Sequence, residues 1–126
     1  MSDFKPAGWP TVIPRLFAED VEGLVAFLRT VFAATGDHHP GRPAEMRIGD
    51  SLLMVSDGAG LREASSAFLY VYVRDADDAW RRAVEAGAQT IEEPTDLPYG
   101  DRRAMARDPW GNTWQIATRM PYTNSP

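Results

Sequence analysis

The sequence predicts an α+β protein built from two tandem β-α-β-β-β modules. Two observations carry this. The hydrophobic period changes from two residues to about 3.6 just after an aspartate, at Asp20 and again at Asp75. Each helical segment is then followed by short β-prone runs around a turn, Gly49-Asp50 in the first half and Pro109–Asn112 in the second. A content of 44% hydrophobic and 25% charged residues in 126 places the chain among globular proteins rather than disordered ones.

Each element has a local reason. Thr11–Ala18 (TVIPRLFA) is rich in β-branched and aromatic residues and reads as a strand. Asp20 is a natural N-cap, and Val21, Leu24, Val25, Leu28 and Val31 recur at helical spacing, so a helix is predicted over Val21–Ala33. Gly36, Pro40 and Gly41 break it. Ala44–Ile48 and Ser51–Ser56 form a hairpin across Gly49-Asp50. The second half repeats the order. Phe68–Arg74 (FLYVYVR) is strongly β-prone, Asp75 caps a helix with the stripe Ala79, Trp80, Ala83 and Val84, and Gly87 ends it. A short strand follows near Gln89–Glu92, then a loop at Pro94–Gly100. Asp101–Arg107 and Thr113–Thr118 close the module. The second strand of each half has the weakest signal. The domain is expected over 11–119, as modules of about 11–57 and 67–119, between tails at 1–10 and 120–126.

Composition excludes several function classes. Without cysteine there is no disulfide, thiolate metal site or Cys nucleophile. A net charge of −5 and a pI near 4.9 disfavour a phosphate backbone as partner and weakly favour cationic ligands at long range. No apolar run reaches the ~20 residues of a membrane span, and the N-terminus lacks a secretory pattern. The expectation is a cytoplasmic protein with neither nucleic-acid nor membrane partners. No P-loop or dinucleotide-binding glycine pattern occurs.

Strand alternation selects candidate binding residues. Phe68, Tyr70 and Tyr72 share one face of their strand, opposite Leu69, Val71 and Val73. Ile13, Arg15 and Phe17 share a face, and Gln115 lies with Thr113 and Ala117, opposite Trp114 and Ile116. Aromatic rings on an open face offer a stacking platform, although aromatics also favour ordinary sheet packing. Arg15 suits an anionic or carbonyl oxygen, or a structural ion pair. Gln115 can donate and accept hydrogen bonds. His38 and His39 read as a solvated loop pair, with one as a metal ligand the alternative. Asp108-Pro109-Trp110-Gly111-Asn112 is a structural turn. Asp101 and Arg102 are expected to fix loop geometry, with Tyr99 able to reach a binding site. Glu92, Glu93 and Asp96 read as a solvated acidic edge.

The motifs Thr11-Val-Ile-Pro-Arg15, Arg47-Ile-Gly-Asp-Ser51, Tyr99-Gly-Asp-Arg102 and Asp108-Pro-Trp-Gly-Asn-Thr-Trp-Gln115 resemble the vicinal oxygen chelate superfamily. It contains glyoxalase I, bleomycin-resistance proteins and extradiol dioxygenases, and the nearest resemblance is to its PhnB-like branch. The resemblance implies two cupped mixed sheets around a ligand cleft, often in a homodimer. It also implies metal ligands, typically His, Glu, His or Gln, and Glu, on the first and fourth strands of each module. Those positions fall at or near Ile13, Leu53, Phe68 and Gln115. None but Gln115 supplies a donor, so no metal or other cofactor is expected.

These readings lead to one expectation: a homodimer that binds a hydrophobic or aromatic small molecule without metal. Sequestration in the manner of antibiotic resistance is the family precedent. Phe17, Phe68, Tyr70 and Tyr72 supply stacking area; Arg15 and Gln115 supply polar specificity. The alternatives are a divalent-metal lyase or isomerase, and an interaction protein whose cleft is closed by Trp9, Trp110 or Trp114.

Overall fold

A computed structural model describes residues 4–57 and 66–120. The chain divides into two compact units, Met1–Arg29 with Ala33–Ser65 and Thr30–Phe32 with Ser66–Pro126. Of the tails expected at 1–10 and 120–126, residues 1–3 and 121–126 lie outside the described residues. No described helix is long and apolar enough to cross a membrane.

The first unit runs β1 (Arg15–Phe17), α1 (Val21–Phe32), β2 (Ala44–Ile48) and β3 (Ser51–Ser56). Its sheet has the order β1-β3-β2, with β1 parallel and β2 antiparallel to β3. The Asp20 carboxylate caps α1 by accepting the Gly23 N–H at 2.9 Å. The helix ends at Ala33, which adopts a left-handed φ of 57°, while the Ala34 N–H reaches back to the Leu28 carbonyl. Gly49 has φ 59° and Asp50 does not share it, the sign pattern of a type II′ hairpin turn with glycine first. Leu16, Ala44, Met46 and Val55 are completely buried on one face of the sheet. Arg15, Glu45 and Arg47 on the other face are exposed.

Two expectations are corrected in this unit. The strand expected over Thr11–Ala18 is only three residues, although the Pro14 carbonyl and the Ala18 N–H extend the pairing to β3. Pro14 has no N–H for a ladder. The second strand of the module is reduced to a single bridge, Thr35 with Arg47. The prolines and glycines that follow leave too little chain for a ladder.

The second unit contains β4 (Phe68–Tyr72), α2 (Ala76–Glu85), β5 (Gln89–Asp96), β6 (Asp101–Arg107) and β7 (Thr113–Arg119). Its sheet has the order β4-β7-β6-β5, with β4 parallel to β7 and the other pairs antiparallel. Asp75 caps α2 through the Asp78 N–H. The helix lies across β5, β6 and β7. Buried Ala79 and Ala83 allow close approach, and the Trp80 indole N–H donates to the Thr90 hydroxyl at 3.1 Å. Under it Ala104, Ala106, Trp114 and Ile116 are buried. Expected as a loop, Pro94–Asp96 instead continues β5. That strand lies at the sheet edge, where a proline is tolerated, and its register shifts twice.

Burial of Trp114 rests on the Asp108–Asn112 turn. The Asp108 carboxylate accepts the backbone N–H groups of Trp110 and Asn112, the Asn112 amide and the Trp114 indole N–H. Asn112 in turn accepts the Ala67 N–H through its side-chain oxygen. Every donor that this turn buries around Asp108 is thereby satisfied.

Candidate functional site

The face of the second sheet opposite α2 brings together four of the six residues selected from sequence. Register places Tyr70 beside Gln115 and Gln115 beside Met105, with Phe68 beside Thr113 and Tyr72 beside Ala117. The rings of Phe68, Tyr70 and Tyr72 are 64%, 38% and 58% exposed. Tyr70 and Tyr72 meet edge-on with centroids 5.4 Å apart. Among the described residues, the Gln115 amide makes no side-chain hydrogen bond and is half-buried.

A carboxylate missed as a site residue organises the rings. Asp101 opens β6 and is completely buried. Its Oδ2 accepts the hydroxyls of Tyr70 at 2.7 Å and Tyr72 at 2.8 Å. Its Oδ1 has no hydrogen bond and lies 3.4 Å from the Arg119 guanidinium. The Tyr99 hydroxyl stands 3.1 Å from that of Tyr70 and accepts a long bond from Arg103. Arg103 also grips Glu92. Arg119 donates to the Tyr99 carbonyl at 2.7 Å, which fixes the Leu97–Gly100 turn beneath the network.

The protonation states follow from these contacts. Burial opposes ionisation of Asp101, but the two phenol hydrogen bonds and the charges of Arg119 and Arg103 outweigh it and hold its carboxyl below the ordinary value. Tyr70 is pushed above the usual tyrosine range by burial and then by its bond to Asp101. Tyr72 is raised by its bond to Asp101 and then by burial. Near neutral pH the carboxylate is charged and both phenols are neutral donors. The network is therefore suited to holding rings in place, and none of these three groups is poised for proton transfer.

The other two predicted residues lie in the first unit. Arg15 is exposed, donates to the Ser56 hydroxyl at 3.2 Å and stands 5.5 Å from the centroid of the Phe17 ring. Among the described residues it has no carboxylate partner for the structural ion pair, and its face of the sheet is solvated there. His39 is exposed, whereas His38 is half-buried with Nδ1 3.7 Å from a Glu22 carboxylate oxygen. The acidic edge has cation partners after all. Glu92 pairs with Arg103 and Asp96 with Arg102, which also grips Asp77 on α2.

The four superfamily metal positions do not fit a metal. Register moves the fourth-strand position of the first module, expected at or near Leu53, by one residue. Leu53 is buried opposite Met46, and the residue facing Arg15 is Met54, as Gln115 faces Tyr70. A guanidinium, a thioether, a phenol and one amide are a poor donor set for a divalent ion. Shifting to Ile13 and Phe68 removes donors rather than adding them. Among the described residues no group of three His, Cys, Asp or Glu side chains is placed to hold one.

Known proteins agree with this architecture. The chain is 26% identical over 132 residues to an uncharacterized protein of Mycobacterium bovis, covering 91% of this chain and 87% of that one. The crystal structure of TioX from Micromonospora sp. ML1 superposes with a TM-score of 0.73 at 23% identity, over 88% of this chain and 99% of the other. A glyoxalase/bleomycin resistance protein/dioxygenase family enzyme from Burkholderia phytofirmans PsJN gives 0.72 at 22% identity, over 84% and 95%. At these identities the two structures establish the fold. Residues 13–116 match the model of one family across both units, and the chain belongs to the Glyoxalase/Bleomycin resistance protein/Dioxygenase superfamily.

Proposed function

We propose that this protein binds a hydrophobic or aromatic small molecule, without metal, on the open sheet face of its second unit. The observation that carries this is the set of exposed rings of Phe68, Tyr70, Tyr72 and Tyr99, three of them tied by their hydroxyls into the Asp101 network. Large exposed rings are unfavourable in water, and a cluster of them marks a binding surface. Fixing the rings beforehand lowers the entropy lost when a ligand stacks on them. The free Gln115 amide adds polar selection. Sequestration, as in antibiotic resistance, suits a face whose titratable groups keep one charge state near neutral pH.

Resemblance in the motifs around Arg15, Asp101 and Asp108 supports the PhnB-like branch and a homodimer as parts of the same proposal, to which a cytoplasmic setting also belongs. The lyase or isomerase alternative needs a metal, and the donor set argues against it.

Native mass spectrometry of protein purified without added metal or chelator tests this. A retained small molecule, with no stoichiometric metal, is expected. Tyr70→Ala removes a ring contact worth about 1 kcal/mol beyond its buried area, and the molecule should be lost. Equal retention by wild type and variant rules out the ring platform. One divalent ion per subunit restores the enzyme alternative.

A further inference from the structure

We infer that the ligand of this face is a planar aromatic carboxylate, stacked on Phe68 and Tyr70 with its carboxylate on Arg107. The inference rests on the binding function proposed above and adds the charge of the occupant.

One end of the face is electrically balanced. Asp101 faces Arg119 and Glu92 faces Arg103. The hydroxyls of Tyr70 and Tyr72 donate to Asp101, and that of Tyr99 meets Tyr70 and Arg103. Among the described residues, that end offers ring surface and no unpaired charge. The other end differs. Arg107, Thr113 and Phe68 lie side by side in register across β6, β7 and β4. Alternation puts Arg107 on the same face as Arg103 and Met105. Arg107 is exposed, and among the described residues it has no ion pair and no side-chain hydrogen bond. Thr113 is buried beside them and Gln115 half-buried, and among the described residues neither side chain makes a hydrogen bond.

Neighbouring strands stand about 4.8 Å apart, so the columns of Phe68 and Arg107 are separated by roughly 10 Å. A two-ring aromatic acid spans that distance. A guanidinium takes a carboxylate through two parallel bonds. The Thr113 hydroxyl and Gln115 amide lie between ring and cation. The net charge of −5 favours cations only at long range. Within a screening length of about 8 Å, Arg107 dominates a ligand seated beside it.

Isothermal titration of the full chain with 2-naphthoate, 2-naphthamide and 2-naphthylmethylammonium tests the charge. Naphthoate should bind roughly tenfold more tightly than the amide, as one exposed charge-assisted contact supplies, and the ammonium most weakly. Arg107→Gln should lower naphthoate affinity to that of the amide and leave the amide unchanged; Arg107→Lys should keep part of the preference. Equal affinities, a preference for the cation, or naphthoate binding unaffected by Arg107→Gln overturns the inference while the platform stands. Binding of none of the three rejects the platform itself. If Phe68→Ala turns a dimer into a monomer without changing naphthoate binding, the face belongs to a second copy of the chain, and the inference falls.

Discussion

Replacing Asp101 by asparagine keeps the side chain's shape and removes its charge. In the native chain its Oδ2 accepts two phenol hydroxyls at 2.7 and 2.8 Å. A hydrogen bond to a charged acceptor contributes about 1.5–3 kcal/mol, and a neutral one about 0.5–1.5 kcal/mol. Neutralising the acceptor therefore removes roughly 1 kcal/mol per bond. Two effects reduce the total. The phenols are exposed enough to turn to water, and an amide is easier to bury than a carboxylate. Loss of the pairing with Arg119, 60% exposed, adds back only a few tenths of a kcal/mol after screening. The net loss is about 1–2 kcal/mol, a fall of roughly 5 °C in thermal midpoint for a chain of this size. Its pH dependence is diagnostic. The Asp101 carboxyl is held below its ordinary value of 3.8, so its stabilisation is complete above that value and disappears as pH falls through the lower folded-state value. The midpoint gap between wild type and variant should be constant from neutral pH to about pH 5 and close below about pH 4. In alkali the sign reverses for the tyrosines, whose raised values protect the fold up to about pH 10 and lose that effect above it. Phenolate absorbance should show Tyr72 returning furthest toward normal in the variant, since its bond to Asp101 is the leading cause of its shift. A variant as stable as wild type at neutral pH, or a gap undiminished in acid, refutes Asp101 as an ionised hub.

Other perturbations separate structure from binding. Asp108→Ala orphans the buried donors of Asn112 and Trp114 at about 1–3 kcal/mol each, so urea denaturation should show a loss of roughly 4 kcal/mol. Gly36 has φ 130° and a Cβ there would press on the Glu45 carbonyl oxygen and lie 2.9 Å from the Met46 sulfur. Gly36→Ala should destabilise by about 2 kcal/mol, read by thermal melting. Zinc, nickel or manganese added to chelator-treated protein should leave the thermal midpoint within error; a rise that grows with metal concentration, as linkage requires of a bound ion, contradicts metal-independent folding and binding.

Local chemistry was sufficient to read most of the architecture. The caps Asp20 and Asp75, the hairpin strands Ala44–Ile48 and Ser51–Ser56, and the bounds of β6 follow from short-range rules of capping, turn geometry and alternation. Alternation also identified the ring face of β4, because side-chain period within a strand does not depend on its neighbours. The weak second strand of the first module and the continuation of β5 through Pro94 were not legible, because each depends on what the edge of the sheet pairs with. Partner choice was equally hidden. Asp101 and Arg102 read in the sequence only as loop-fixing residues, and Glu92 and Asp96 as a solvated acidic edge. The alternation Asp101, Arg103, Met105, Arg107 was the available signal that they share a face, but it does not say what stands opposite.

The sequence by itself determined which residues lie on which side of each element, because that follows from backbone geometry of period two or 3.6. Only the tertiary structure decided which sides meet. Strand register put Gln115 beside Tyr70, Met54 beside Arg15, and a buried carboxylate under two tyrosine hydroxyls. Those pairings join residues far apart in the chain, and their register is set by the packing of whole sheets rather than by any segment alone.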